Sequence, residues 1–175
     1  MILQALTSYY EDLLRLGKAE RPGWSKAKVS YGLVINGDGQ LLHLLHLQEE
    51  VTRGKKTVLA PQELLVPTPA KRSSGVLANF LCDNSSYLLG VDNKNKPKRT
   101  ADCFAAAKDL HQKLLQGVDS PAALAVVHFF NLWDPMQASA HPALQEDWDD
   151  LLQAGNLTFW YENTPITQVP AIADA

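Results

Sequence analysis

Over the first sixteen residues the apolar positions Ile2, Leu3, Leu6, Tyr9, Tyr10, Leu13, Leu14 and Leu16 recur three and four apart, and Gly17 closes the run. That spacing predicts an amphipathic helix whose apolar stripe belongs to the core. Residues 29–35 and 40–47 read as two strands, and the Asn36-Gly37-Asp38-Gly39 between them accepts positive φ, so a β-hairpin is expected. Residues 57–66 are interrupted by Pro61 and followed by Pro67 and Pro69. Proline cannot donate to a ladder, so a strand there is expected at an edge or as a short piece.

Residues 71–90 are mixed, with polar side chains dense between short apolar pairs. Thr100 is expected to cap a helix running to about Leu115, with Cys103, Phe104, Ala107, Leu110, Leu114 and Leu115 inward and Gly117 as its stop. Ser120 before Pro121 marks the next helix start, because proline at the first helical position has no N–H to leave unsatisfied. A helix over residues 142–153, a strand over 157–161 and a turn at Asn163-Thr164-Pro165 leading into 166–169 complete the pattern. The expectation is an α+β fold in one domain spanning 1–175: an N-terminal helix, a β-hairpin and short strands packed with several helices, and a further hairpin near the C-terminus. No internal repeat or low-complexity tract interrupts it.

The composition, 46% hydrophobic and 20% charged in 175 residues, is that of a folded domain. A domain of this size buries enough surface to fold without a disulfide or metal. Cys82 and Cys103 form no C-x-x-C pair, and no N-terminal segment resembles a secretory signal or membrane span, so a cytosolic protein with reduced thiols is expected.

The net charge of −3 argues against nucleic acid only if charge is spread evenly. It is not. Residues 1–50 carry 5 basic and 6 acidic side chains, residues 51–100 carry 9 and 3, and residues 101–175 carry 2 and 10. A phosphate chain responds to the field within a Debye length, roughly 8–10 Å, so the basic middle can bind it while the acidic end faces elsewhere. A solvated basic loop with no partner produces the same counts.

Enzymatic chemistry finds little material. His43 and His46 lie three apart in a predicted strand, where an odd separation points them to opposite faces, so they make a poor metal pair. Ser73, Ser74 and Cys82 are candidate nucleophiles, with His111 or His128 as distant bases, but no G-x-S-x-G elbow supports them. Glu146, Asp147, Asp149 and Asp150 around Trp148 fit a solvated helix face better than a Mg²⁺ site. There is no Walker A sequence. The expectation is a protein with no catalytic residues, no metal and no cofactor.

Nucleic-acid binding has better material. Lys71, Arg72, Ser73, Ser74 and Gly75 join paired cations to small hydroxyls and a glycine that lets backbone approach a phosphate. Asn79, Asp83, Asn84, Ser85, Ser86 and Tyr87 supply groups that either meet base edges or brace neighbouring loops. Lys94, Lys96, Lys98 and Arg99 around Pro97 read as a flexible cationic loop suited to tracking a phosphate chain. Each part has its plain alternative: serines and asparagines cap turns, and lysines keep surfaces soluble.

The opening MILQALTSYYEDLLRLG, the following PGWSKAKVSYGLVINGDGQL and above all KRSSGVLANFLCDNSSYLLGVDNKNKPKRTADCFAAAKDLHQKLL resemble the start of the large subunit of type I-C CRISPR surveillance complexes (Cascade), the family called Csd-one or Cas-eight-c. The similarity is collinear over most of residues 1–117 and most specific at 71–90, and residues 120–175 look like its weaker continuation. It implies a non-catalytic subunit that recognises the protospacer-adjacent motif (PAM) on target duplex DNA while the guide RNA reads sequence by pairing. It also implies contact with the guide RNA 5′ handle region and other Cascade subunits, later recruitment of a helicase-nuclease, no membrane, and a prokaryotic cytoplasm. Family members are much longer, so the chain is expected to be the N-terminal portion of a large subunit. Two other classes stay open: a protein-docking scaffold, whose duplex binding would ignore salt and the basic side chains, and a metal-dependent enzyme acting on nucleic acid.

Overall fold

Burial along the long strand β1 (Trp24–Ile35) changes midway: its first half is half-buried or exposed, and from Val29 onward every residue is buried. A continuous buried run belongs to a strand with neighbours on both edges and cover on its faces. In this computed structural model, which describes residues 2–15, 23–72, 75–153 and 155–173, β1 is that strand. Its second half pairs antiparallel with β2 (Leu41–His46), and its first half pairs antiparallel with the C-terminal half of β4 (Lys56–Pro67). Between β2 and β4, Leu47 donates to the Ser30 carbonyl and accepts from Gln62 N–H, so the chain leaves β1 at Leu47 and continues as β3 (Gln48–Arg53), paired only with β4.

On the other edge of β1 lies β6 (Asn156–Tyr161), parallel, reached through a long helical connection. That connection carries β5 (Cys82–Asp83), which pairs antiparallel with β6, then α2 (Ser85–Leu88), α3 (Pro97–Leu114), α4 (Pro121–Leu132), a 3₁₀ turn at Pro135–Ala140 and α5 (Trp148–Gln153). The chain finishes with β7 (Thr164–Pro165), a 3₁₀ turn at Ile166–Gln168 and α6 (Pro170–Ala173). Parallel strands require such a crossover, and the result is a mixed sheet backed by helices, an α+β fold.

The main core lies where α3 and α4 meet the sheet. Phe129 and Phe130 from α4 pack on Phe159 of β6 at ring separations of 5.2 and 5.8 Å, with Leu33 and Ile35 of β1 beside them. Val29, Leu47, Val66 and Cys82 form a second, smaller cluster, with Leu45, Leu64 and Trp160 packed against it. Val29 and Tyr31 share strand parity yet enter different clusters because the β1–β6 register shifts between them.

The β1–β2 hairpin follows the sequence expectation. Asn36 Oδ1 accepts from the Asp38 and Gln40 N–H groups, tying the turn, and Gly39 at φ +83° lies against α4. A Cβ there would overlap Phe129 N and lie 2.6 Å from His128 Cβ, so the contact requires glycine. Ser120 stands at the N-cap of α4 with Pro121 next, and β6–β7 supplies the small C-terminal hairpin.

Elsewhere the expectations need correcting. The helix α1 (Ile2–Arg15) forms, but its stripe is not core: Ile2 and Leu3 are each 78% exposed, Tyr9 63% and Leu6 58%. Amphipathic spacing says that a face seeks burial and not against what; the main core is formed by α3 and α4 with the sheet, and none of the described α1 side chains belongs to it. Leu16 and Gly17, and the side chains of Leu13 and Leu14, lie outside the described residues. The segment around Pro61 is a strand of 12 residues and not a short piece; proline is tolerated because Pro61 sits where β4 exchanges β3 for β1 as partner.

Thr100 does not cap α3, which begins at Pro97; its hydroxyl instead bonds the Lys96 carbonyl and Asp92. Leu114 is exposed. Of residues 142–153 only Trp148–Gln153 is helix, and Ile166–Gln168 is a 3₁₀ turn and not an extended arm.

Candidate nucleic-acid interface

The segment after β4 is shaped by one buried carboxylate. Asp83 in β5 is fully buried and accepts from the Arg72 guanidinium at 2.6 Å, the Asn79 N–H at 2.9 Å and the Asn84 N–H at 2.8 Å. Burial pushes its carboxyl above the usual range, while Arg72 and the two N–H groups oppose that rise. Burial also works against the Arg72 charge, yet its bonds to Asp83 and Tyr87 outweigh this and leave it raised. Arg72 further lies over the Tyr87 ring, 4.4 Å from the centroid, and the Tyr87 hydroxyl accepts from Leu77 N–H. Asn79 is buried, its Oδ1 accepting the Ala70 N–H at 3.0 Å.

Among the sequence-predicted residues, Arg72 and Asn79 are thus committed to the loop's own architecture. Lys71 is exposed, Gly75 at φ +85° faces open space, and Ser73 and Ser74 lie outside the described residues. Asn84 sits at the N-cap of α2 without capping it, and its Oδ1 is buried with no partner among the described residues. An orphaned acceptor costs free energy until a donor reaches it.

Lys94, Lys96, Lys98 and Arg99 are all exposed. They are not one flexible loop: Lys98 and Arg99 occupy the first turn of α3, and the preceding turn is built on Asp92. Asp92 accepts from the Lys94 N–H at 3.0 Å, the Ser86 hydroxyl at 2.9 Å and the Thr100 hydroxyl at 3.2 Å. Burial works against its charge, but these donors and the Lys94 charge prevail and hold its carboxyl below the ordinary value. Four cations therefore surround the positive end of an 18-residue helix. Like charge at that end opposes the helix dipole, so the arrangement favours an anion. Arg99 Nη2 donates to the Gly75 carbonyl at 3.2 Å, which ties the first turn of α3 to Gly75, the last residue of the first predicted basic segment.

Sequence reading missed a third basic group. Arg53, Lys55 and Lys56 form the tip of the β3–β4 ribbon, around Gly54 at φ +64°. The signal was present as Val51-Thr52 and Thr57-Val58 mirrored about a Gly-containing two-residue loop.

The residues weighed for catalysis are placed otherwise. His111 is fully buried, its Nε2 accepting the Leu81 N–H at 2.9 Å and its Nδ1 donating to the Ala107 carbonyl at 2.7 Å. Burial lowers it to about 4. Cys82 is buried and pushed up to about 12, and exposed His128 donates to the Gly37 carbonyl at 3.3 Å. His43 is exposed, while His46 bonds Asp147 at 2.7 Å. Among the described residues no group of three or more His, Cys, Asp or Glu side chains is arranged to hold a metal ion, and no helix is long and apolar enough to cross a membrane.

No curated protein matches the chain. The family model described as CRISPR-associated protein (Cas_Csd1) matches residues 6–175, nearly the whole length. The chain therefore belongs to the Cas_Csd1 family of CRISPR-associated proteins and so to CRISPR antiviral defence.

Proposed function

We propose that the chain is a non-catalytic, DNA-binding domain of a type I-C CRISPR surveillance complex, engaging target duplex DNA at the PAM through the surface formed by residues 71–99. The observation that carries the reading is the Arg99–Gly75 hydrogen bond, which ties the start of α3, where Lys94, Lys96 and Lys98 are exposed, to Gly75 at the end of the first predicted basic segment. Cations on a pre-formed surface position a duplex through its phosphates, and polar groups next to them read base edges. Exposed Lys71 is the predicted group left for that second task, since Arg72 and Asn79 are engaged within the loop and Asn84 Oδ1 is buried. Further partners under this reading are the guide RNA 5′ handle, neighbouring Cascade subunits and a helicase-nuclease recruited by the full complex. The setting is the prokaryotic cytoplasm.

Selection of duplexes from a library randomised over a short window tests it. Enrichment of one short motif, lost when Lys71 is replaced, supports PAM recognition. Binding without enrichment removes PAM recognition and leaves general DNA binding. The docking-scaffold reading draws on a different observation, the exposed apolar stripe of α1 at Ile2, Leu3, Leu6 and Tyr9, and it predicts that polar substitutions there disrupt assembly while duplex binding persists.

A further inference from the structure

The β3–β4 ribbon stands apart from the sheet. Gln48–Arg53 pairs only with β4, and residues 56–61 of β4 pair only with β3. From Glu49 round to Leu59 every residue is exposed, so neither face of the ribbon is covered. Six cross-strand pairs, from Gln48↔Pro61 to Arg53↔Lys56, give it a reach of roughly 17 Å at about 3.4 Å per residue.

Its chemistry is graded along that length. Glu49 and Glu50 lie near the base, and Arg53, Lys55 and Lys56 at the tip. Arg53 and Lys56 are directly opposite one another, so they share a face, with the Val51–Val58 pair behind them. Like charges directly opposite on a ribbon are destabilising, and a third cation in the loop adds to the repulsion. An anion lying between them removes it. The turn is held for that display: Gly54 takes φ +64° and Lys55 does not take positive φ, the pattern of a type II′ hairpin, which keeps the strands twisted together up to the last pair.

We propose that this ribbon is an arm that enters a groove of duplex DNA, with Arg53, Lys55 and Lys56 on phosphates. The inference rests on the DNA-binding reading above and adds a contact separate from the surface of residues 71–99. A two-stranded ribbon fits the major groove, which is about 12 Å wide, and the acidic base of the arm keeps its stem away from the backbone while the tip is drawn in. Single strands offer no groove, so the arm discriminates by nucleic-acid form.

The test uses the 175-residue chain with Arg53→Gln, Lys55→Gln and Lys56→Gln combined, compared with the unaltered chain and with a Lys94, Lys96, Lys98 and Arg99 to Gln variant. Fluorescence anisotropy follows binding to a labelled duplex of about 25 bp and to its single strand between about 50 and 200 mM salt. The arm variant is expected to fold normally by circular dichroism, to bind duplex about tenfold more weakly, and to lose about 2–3 from the salt slope, with single-strand binding changed by less than about threefold. Unchanged duplex affinity and slope in the arm variant, with loss in the other variant, overturns the arm and leaves the DNA-binding reading standing. Equal loss on duplex and single strand overturns groove entry. Absence of salt-sensitive duplex binding by the unaltered chain overturns both.

Discussion

Arg72 donates to Asp83 at 2.6 Å, and the carboxylate that receives it is fully buried. The cation that looks freest in the sequence, beside Lys71 and two serines, is therefore occupied in holding its loop to the sheet. Its neighbour is the exposed one.

This difference separates two substitutions. Asp83→Asn leaves Arg72 without its counter-charge in a mostly covered site, and an unfolding midpoint in urea should report a loss of about 3 kcal/mol. Arg72→Ala should likewise lower stability and weaken binding to all duplexes together. Lys71→Ala should leave the midpoint unchanged and lower DNA affinity alone. A stable Arg72→Ala protein with altered base preference would assign Arg72 to reading and not to bracing.

His111 should make the fold sensitive to mild acid. Its imidazole is neutral because burial lowers it from the ordinary 6.5 to about 4, and that neutral form accepts the N–H of Leu81, a non-glycine residue at φ +66°. The unfolded chain binds the proton more readily, so this contribution is fully present above pH 6.5 and is lost as pH falls towards 4. At about 1.4 kcal/mol per pH unit the loss is of order 3 kcal/mol. Denaturant midpoints measured at steps between those limits should fall steeply, and His111→Gln, which keeps an acceptor but does not titrate, should flatten the curve. A parallel pH dependence in the two proteins contradicts the assignment.

Gly39→Ala should destabilise by at least about 2 kcal/mol, because the added Cβ overlaps Phe129 backbone and the φ of +83° is unfavourable to any L side chain. Gly54→Ala has the strain without the overlap, since open space surrounds that position, and should cost about 1 kcal/mol. Thermal unfolding of the two variants side by side checks the ranking; an equal loss would mean that strain alone, and not the approach to α4, fixes Gly39.

What the sequence made legible was local. The β1–β2 hairpin was readable because two largely apolar runs flank an Asn-Gly-Asp-Gly turn, and the α4 start because Ser120 and Pro121 have one role in common. Burial partners were not readable: the stripe of α1 has the right period, and no local signal says that α3 and α4 already fill the core. The α3 start was misplaced by four residues because Thr100, a good cap by type, is used by Asp92 and the Lys96 carbonyl, while Lys96 is the cap and Pro97 holds the first position. In the candidate site the residues of 71–99 were identified by type, but which of them face solvent depends on Asp83, a partner no spacing rule connects to Arg72.

The central claim, that residues 71–99 form a surface for duplex phosphates, is tested most directly by the salt dependence of duplex binding before and after Lys94, Lys96, Lys98 and Arg99 are neutralised together. All four are exposed and outside the core, so their loss should leave the core folded, while Arg99→Lys alone separates loss of the Gly75 bond from loss of charge. The account predicts weaker binding to every duplex and a log–log salt slope shallower by about 0.9 for each phosphate contact removed, up to roughly 3–4 in total. An unchanged slope with unchanged affinity would contradict it.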